Sequence, residues 1–143
     1  MTAISVTTTT VRKSWEIRMR WRRAAEYRGS PIWGEGADRL SGSNGVYELA
    51  DENFNILYVG YAGSRAIYGL RGKIVAHLSD REPNAHLLSK VVYFRYEVTS
   101  SYLSRWTEVV GRYHEAGRMP VVNSQLREFP RHMPYFGPPD ETH

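Results

Sequence analysis

The chain lacks cysteine and long hydrophobic runs, and each absence narrows what it can be. Without cysteine among its 143 residues, it forms no disulfide framework and no zinc site with thiolate ligands. No apolar run approaches the roughly 18 residues of a membrane-spanning helix. The first six residues show neither a basic start nor an apolar core, so we expect no signal peptide, no membrane partner and a cytoplasmic location. The length of 143 residues predicts one domain, and a hydrophobic content of 41% is ordinary for a globular protein.

The charge is mildly basic, +4 overall, and is concentrated near the N-terminus. Between Val11 and Arg28, seven basic residues stand against two acidic ones, a local net charge of +5. Apolar residues recur there at helical spacing, so the pattern predicts a basic amphipathic helix capped by Ser14. Such a helix either packs its apolar face and solvates its arginines, or also binds phosphates through them. The residues assigned here to nucleic-acid binding are Arg12, Lys13, Arg18, Arg20, Arg22 and Arg23.

Turn-rich stretches divide the chain into three segments. Residues 1–43 hold the basic helix and a loop rich in Gly and Ser, residues 44–129 hold regular elements, and residues 130–143 form a proline-rich tail. Within 44–129 we predict strands over 45–50, 56–60 and 91–98, and helices over 70–80, from Ser100 or Ser101 to Glu115, and after Asn123. The sequence therefore predicts an α+β fold, with a small three-stranded antiparallel sheet flanked by helices.

Two of the predicted strands each place a tyrosine beside a glycine. The first carries Gly45-Val46-Tyr47, the second carries Tyr58-Val59-Gly60, and a polar turn joins them as a hairpin. Alone, each tripeptide is uninformative, because a strand tyrosine is ordinarily part of a core or a sheet surface. A histidine-bearing basic helix, a helix glutamate and an asparagine follow in order. Together these elements resemble the GIY-YIG nuclease family, over about residues 44–129.

The resemblance implies metal-dependent hydrolysis of phosphodiester bonds in DNA. In the family, a motif tyrosine acts as the base, a cation on the first helix holds the phosphate, and one glutamate binds a divalent metal. By position, Tyr47 and Tyr58 match the motif tyrosines, Glu108 the metal ligand, and Asn123, after Pro120, the closing asparagine. The implied cofactor is Mg²⁺ or Mn²⁺, and the implied partner is double-stranded DNA.

The first predicted helix departs from the family at the phosphate-binding position. Family members show Leu-x-x-Arg-x-x-x-His or Tyr, and this chain has Leu70-Arg71-Gly72-Lys73-Ile74-Val75-Ala76-His77. Lys73 and His77 share one helix face, and lysine keeps the charge of arginine but loses its planar, two-pronged grip. Arg71 would substitute only if the helix began irregularly, and Arg65 is a further candidate. We assign Lys73, Arg71 and His77 to the catalytic site and Arg65 to nucleic-acid binding.

Each assigned residue also has a structural explanation. Glu108 would serve as a solvated helix glutamate between two arginines, His77 as a partly buried histidine, and Asn123 as a helix cap. Three functions therefore stay open: a metal-dependent DNA endonuclease, a weakened domain of the same type that binds nucleic acid without cutting, and an interaction domain with an accidental motif. The sequence leaves open the DNA recognised, the choice between DNA and RNA, and the oligomeric state.

Two geometric features distinguish these functions. The endonuclease requires a cation from Lys73, Arg71 or Arg65 close to the two tyrosines and Glu108. The accidental motif would be favoured if the hydroxyls of Tyr47 and Tyr58 pointed to opposite faces of the sheet.

Overall fold

The structure, a computed structural model, describes residues 15–29 and 37–129, except for the side chain of Asp38. Within these residues it contains a four-stranded antiparallel sheet and four α-helices, so the predicted α+β class is confirmed. The elements in chain order are β1 (Arg22–Arg23), β2 (Gly45–Ala50), β3 (Ile56–Ala62), α1 (Gly69–His77), α2 (Ala85–Lys90), β4 (Tyr93–Val98), α3 (Tyr102–Glu115) and α4 (Val121–Gln125). Residues 130–143, the predicted tail, lie outside the described part.

The sheet has the order β1-β4-β2-β3, with β2 paired to β3 on one side and to β4 on the other. All six residues of β2 are buried, as expected for a central strand. The β2–β3 hairpin closes through Asp51, whose Oδ1 accepts hydrogen bonds from the backbone N–H groups of Asn53 and Asn55, both at 2.9 Å. Because β3 is last in the strand order, it forms one edge of the sheet.

Two predictions about the N-terminal part were wrong. The sheet has a fourth strand, β1, in addition to the three predicted. The helix predicted over 11–28 is not formed in its described part, where β1 is followed by a 3₁₀ turn at Ala24–Glu26. The spacing misled because its apolar residues serve two faces of the sheet. Trp15 packs edge-on against Tyr113, with ring centroids 4.9 Å apart, whereas Tyr27 lies in the opposite core.

The predicted boundary at residue 43 does not separate two packing units. Ala24, Tyr27 and Leu40 are buried in one cluster with residues of the later segment, including Tyr47 and Phe94. The backbone N–H of Ala24 also donates to the carbonyl of Val92 at 2.8 Å, which ties the segment to the start of β4. The N-terminal segment is therefore part of the fold.

The core is split by the sheet into two layers. On one face, α1 and α2 cover a cluster that includes Leu49, Leu70 and Ile74. On the other face, α3 packs Val109 and Val110 against the sheet. Because side chains alternate along a strand, neighbouring residues of β2 and β3 belong to different layers.

Within the described residues, the helices are too short or too polar to span a bilayer.

The α3 layer encloses a group that we call the glutamate network, formed by Glu48, Arg95 and Tyr113. Arg95 Nε donates to Glu48 Oε1 at 2.7 Å, and the Tyr113 hydroxyl donates to Glu48 Oε2 at 2.8 Å. Trp21 covers the Arg95 guanidinium at 4.2 Å. Burial raises the pKa of Glu48, and Arg95 and Tyr113 oppose that rise. Its centre, Glu48, is fully buried, whereas Arg95 and Tyr113 also line a second cleft of about 660 Å³.

Candidate active site

A cleft of about 1000 Å³ opens beside the edge strand β3. We call it the tyrosine cleft, because Tyr47 and Tyr58 form its inner wall. Three charged residues, Arg65, Lys73 and Glu128, also line the cleft. The rim on the α3 side is aromatic and includes the side chains of Tyr61, Tyr102 and Phe129. The cleft therefore combines hydroxyl groups, cations and exposed rings.

The two motif tyrosines lie on the same face of the sheet. The β2–β3 register pairs Tyr47 with Gly60 and Leu49 with Tyr58, so the two tyrosines are diagonal neighbours with ring centroids 6.1 Å apart. A Cβ at Gly60 would overlap the Tyr47 ring carbon Cζ and its hydroxyl oxygen. The glycine of the second motif is therefore required by the ring of the first.

Behind Tyr47 runs a chain of hydrogen bonds that we call the tyrosine relay, formed by Tyr47, His77 and Glu82. The Tyr47 hydroxyl lies 2.7 Å from His77 Nε2, and His77 Nδ1 lies 2.6 Å from Glu82 Oε1. An ionised carboxylate only accepts hydrogen bonds, so Nδ1 carries the proton on that side. In the neutral imidazole, Nε2 then accepts from the Tyr47 hydroxyl.

The environment fixes the charge state of the relay. Burial raises the pKa of Tyr47 well above its ordinary value of 10, and the nearby carboxylates of Glu128 and Glu82 raise it further. Burial also acts to raise the pKa of Glu82, but hydrogen bonds from His77 and from the Asn84 amide outweigh it, so that this pKa is lowered. At neutral pH, Tyr47 is therefore a protonated donor, and Glu82 is an anion at the far end.

Glu82 was not predicted as a site residue. It lies in the turn after α1, where its Oε2 also accepts a hydrogen bond from the backbone N–H of Asn84 at 2.8 Å. The contact with His77 depends on the path of this turn, which no local periodicity encodes. An acidic residue five positions after a helical histidine is the only sequence signal, and it is a weak one.

Helix α1 presents Lys73 to the tyrosine cleft and turns Arg71 away. Arg71 Nε donates to the carbonyl of Leu40 at 3.0 Å, outside the cleft. The helix does begin irregularly, since Tyr68 and Gly69 both have left-handed backbones with φ of 66° and 56°. That irregularity does not bring Arg71 to the tyrosines. Of the three predicted cations, the structure brings Lys73 and Arg65 to the cleft.

Glu108 and Asn123 do not line the tyrosine cleft. Glu108 Oε1 accepts a hydrogen bond from Arg105 Nη1 at 2.8 Å, and its side chain does not line the tyrosine cleft. The face of α3 that does line it carries Leu103, Trp106 and Thr107. The structure therefore does not join Glu108 to the predicted constellation.

The buried Asn123 side chain has a clear structural contact. Its Oδ1 accepts from the backbone N–H of Val59 at 2.8 Å, and its Nδ2 donates to the carbonyl of Val59 at 2.9 Å. Both ends of the amide are thus used to hold α4 against β3. Helix α4 also contains Asn123, whereas we predicted a helix after it.

The predicted nucleic-acid-binding residues of the N-terminus are not in the cleft. Arg22 and Arg23 form β1, at the opposite edge of the sheet from β3, and their guanidinium groups lie over the rings of Tyr96 and Tyr93 at 5.3 and 5.7 Å. Arg18 and Arg20 are exposed and do not line the cleft. Arg12 and Lys13 lie outside the described residues, so the structure gives no position for them.

Glu128 is a second acidic residue that the sequence did not reveal. It lines the tyrosine cleft, and its Oε1 is buried without a hydrogen-bond partner among the described residues. An unsatisfied carboxylate oxygen fits a hard divalent cation, which prefers oxygen ligands. Glu108 fits less well, because its Oε1 is paired with the Arg105 cation, whereas the hydrogen bond of Glu128 is with the Tyr58 hydroxyl, a neutral group. In the described ranges, no three His, Cys, Asp or Glu side chains are grouped to hold a metal, so a site here would rely on water for most ligands.

In a scan against protein-family models and in searches of curated proteins and of solved structures, nothing matches this chain. The resemblance to GIY-YIG nucleases therefore stays a prediction from the motifs. The geometry of the tyrosine cleft is the basis for a functional proposal.

Proposed function

We propose that this chain is a metal-dependent endonuclease of the GIY-YIG type, which hydrolyses phosphodiester bonds in DNA. The observation that carries the proposal is the tyrosine relay, which ends at the wall of a cleft that also contains Lys73. A buried tyrosine hydroxyl needs only one hydrogen-bond partner, and a backbone carbonyl would suffice. Here the partner is an imidazole oriented by a carboxylate, which is an arrangement suited to accepting a proton.

The raised pKa of Tyr47 determines how the relay would act, because a free phenolate is not formed at neutral pH. As water attacks the phosphorus, its proton passes to the Tyr47 oxygen while the Tyr47 proton passes to His77 Nε2. The imidazolium formed is stabilised by the Glu82 anion. The bond from phosphorus to the leaving oxygen breaks, and that oxygen takes up a proton from solvent.

The cations of the cleft offset the charge that develops on the phosphate. Lys73 and Arg65 supply this positive charge from the walls of the cleft. Tyr58 stays protonated, because burial, the nearby Glu128 charge and a hydrogen bond with Glu128 raise its pKa. On substrate binding, its hydroxyl would turn from Glu128 to a phosphate oxygen. When bound, Mg²⁺ or Mn²⁺ would add Lewis-acid stabilisation of the phosphate and the leaving group.

A second candidate function is nucleic-acid binding without cleavage. Two observations favour it: lysine stands at the arginine position of the family, and Glu108 is paired with Arg105 instead of facing the tyrosines. A cleft that retained its cations and exposed rings would still bind a phosphate backbone and stack bases. This candidate predicts binding that weakens with salt and no product of hydrolysis.

Incubation of supercoiled plasmid with the protein and Mg²⁺ or Mn²⁺ tests the proposal. We expect nicking by the wild type and a loss of about 100-fold or more in Tyr47→Phe, because general-base contributions are about 10² to 10⁴. Tyr96→Phe is the matched control, since Tyr96 pairs with Tyr47 on the same face but does not line the cleft. Equal nicking by Tyr47→Phe would refute the relay. Binding without nicking by the wild type would favour the second candidate.

A further inference from the structure

We propose that Glu128, and not Glu108, is the carboxylate that binds the divalent metal in the tyrosine cleft. This inference rests on the proposed function and changes which part of the chain completes the site. Of the described residues that line the cleft, Glu128 alone is acidic. It comes from the loop after α4, whereas the resemblance placed the ligand on α3.

The first argument is that Glu128 has an unused ligand atom. Its Oε1 is buried and has no hydrogen-bond partner, although Lys73 and Arg65 line the same cleft. Among the described residues, no basic side chain forms an ion pair with it. Leaving a buried carboxylate oxygen unpaired costs free energy, so such an oxygen in a cleft indicates a missing cationic or donor partner.

The second argument is that the backbone holds Glu128 in place at a conformational cost. Arg127 adopts a left-handed backbone with φ of 55°, which is unfavourable for a residue with a Cβ. The next amide, that of Glu128, then donates to the carbonyl of Asn123 at 2.7 Å. Because the Asn123 side chain is itself fixed to β3, the carboxylate is tied to the strand that carries Tyr58.

The third argument is that Glu108 is already committed elsewhere. It belongs to a surface group in which Arg105 binds Glu108 at 2.8 Å and Glu97 at 3.0 Å. Moving Glu108 to the cleft would break its contact with Arg105. The cleft side of α3 carries Thr107 and Leu103, neither of which is a carboxylate.

One carboxylate is sufficient for a metal at Glu128 when a substrate phosphate is also bound. Mg²⁺ and Mn²⁺ keep several waters and need only one or two protein carboxylates when a phosphate completes the shell. A cation there would lie beside Tyr58, whose hydroxyl is hydrogen-bonded to the Glu128 carboxylate. Lys73 would then contact the substrate phosphate from another wall.

Paramagnetic broadening by Mn²⁺ locates the site without requiring activity. In amide NMR spectra of the full chain, we expect Mn²⁺ to broaden signals around Tyr58 and Glu128 first. Glu128→Gln keeps the size and removes the charge, so it should weaken this effect at least about tenfold in Mn²⁺ concentration. Glu108→Gln is the matched control. It should change the Mn²⁺ concentration needed for broadening less than about twofold, since Glu108 forms a surface ion pair with Arg105.

Three results would overturn the inference: broadening centred on Glu97 and Glu108, unchanged broadening in Glu128→Gln, or no site-specific broadening at millimolar Mn²⁺. Far-UV circular dichroism and urea unfolding establish that both variants are folded. Plasmid nicking is measured in parallel to separate the two proposals. If Mn²⁺ binds at Glu128 and the wild type does not cleave, the metal site stands and the nuclease proposal fails.

Discussion

Neighbouring residues of β2 enter two polar networks of opposite kind. Tyr47 faces α1 and begins the tyrosine relay, whereas Glu48 faces α3 and forms the centre of the glutamate network. In the glutamate network, both carboxylate oxygens have donors, and Trp21 covers the guanidinium of Arg95. The tyrosine relay has the same number of members, but Tyr47, at its end, lines the tyrosine cleft, whereas Glu48 lines neither that cleft nor the second one at Arg95 and Tyr113.

The difference between the networks separates stability from chemistry. The hydrogen bonds of the glutamate network converge on a carboxylate that is fully buried, so its role is to hold the sheet, α3 and the N-terminal segment together. A network with one end at a cleft keeps a hydroxyl within reach of an incoming molecule. Burial and hydrogen bonding alone would therefore not identify the site, because both networks have them.

The largest expected effect follows from removal of the N-terminal segment. Deletion of residues 1–28 uncovers the glutamate network and removes the buried side chains of Ile17, Ala24 and Tyr27. We expect a loss of more than about 5 kcal/mol, enough to unfold a domain of ordinary stability. Urea unfolding monitored by circular dichroism measures this. A truncated chain that unfolds cooperatively with unchanged midpoint would contradict the packing described here.

Next in size is the effect of breaking the glutamate network from inside. Arg95→Met keeps an unbranched chain beneath Trp21 but leaves Glu48 without its cation, and we expect a loss of about 3–5 kcal/mol. Tyr47→Phe is the comparison variant, for which we expect only about 1 kcal/mol. The two free energies of unfolding are measured in urea at pH 7. Similar values would show that the two networks do not differ in the way proposed.

The cation of the tyrosine cleft is expected to affect turnover more than stability. Lys73→Ala should lower plasmid nicking by about 100-fold, because one preorganised charge is lost from the developing anion. Lys73→Arg should retain or raise activity, since a guanidinium grips phosphate in a planar, two-pronged way. Arg71→Ala should leave the rate nearly unchanged, as its Nε contacts the Leu40 carbonyl. A reversed pattern would show that Arg71 reaches the phosphate.

The smallest expected effect is a pH dependence of stability at the far end of the tyrosine relay. Because the folded-state pKa of Glu82 is lowered from 4.5, its contribution is present above the unfolded value and is lost as pH falls through the folded value. Glu82→Gln should therefore cost about 1–2 kcal/mol at pH 7, and the difference from the wild type should shrink below pH 4.5. Urea unfolding at several pH values measures this, and a difference independent of pH would refute the assignment.

Strong local signals predicted the centre of the fold. The tyrosine–glycine hairpin, the aromatic strand β4 and the amphipathic helix α3 were all predicted, although β3 extends to Ala62 and β4 begins at Tyr93. Helix α2 was missed even though Asn84 caps it, accepting from the amides of His86 and Leu87. Strand β1 has only two residues and exists through its pairing with β4, so no local pattern encodes it.

The residues of the candidate site also fall into two groups, those that local patterns predict and those that depend on the folded chain. Tyr47, Tyr58, Lys73 and His77 come together because strand alternation and helical spacing fix their directions. The positions of Glu82 and Glu128 depend instead on turns, one after α1 and one with a left-handed residue before it. Turn geometry of this kind arises only in the folded chain. The sequence therefore indicated the tyrosines, the lysine and the histidine of the site but neither Glu82 nor Glu128.

The two hydrogen bonds between the Asn123 side chain and the Val59 backbone also affect whether copies of this chain associate at high concentration. Strand β3 is an edge of the sheet, and an edge with free N–H and C=O groups is a template on which another chain can add a strand. Asn123 occupies both backbone groups of Val59, and Trp106 donates to the same carbonyl at 2.9 Å. Together these two side chains protect the middle of the edge from intermolecular strand pairing, and so protect the protein from aggregation.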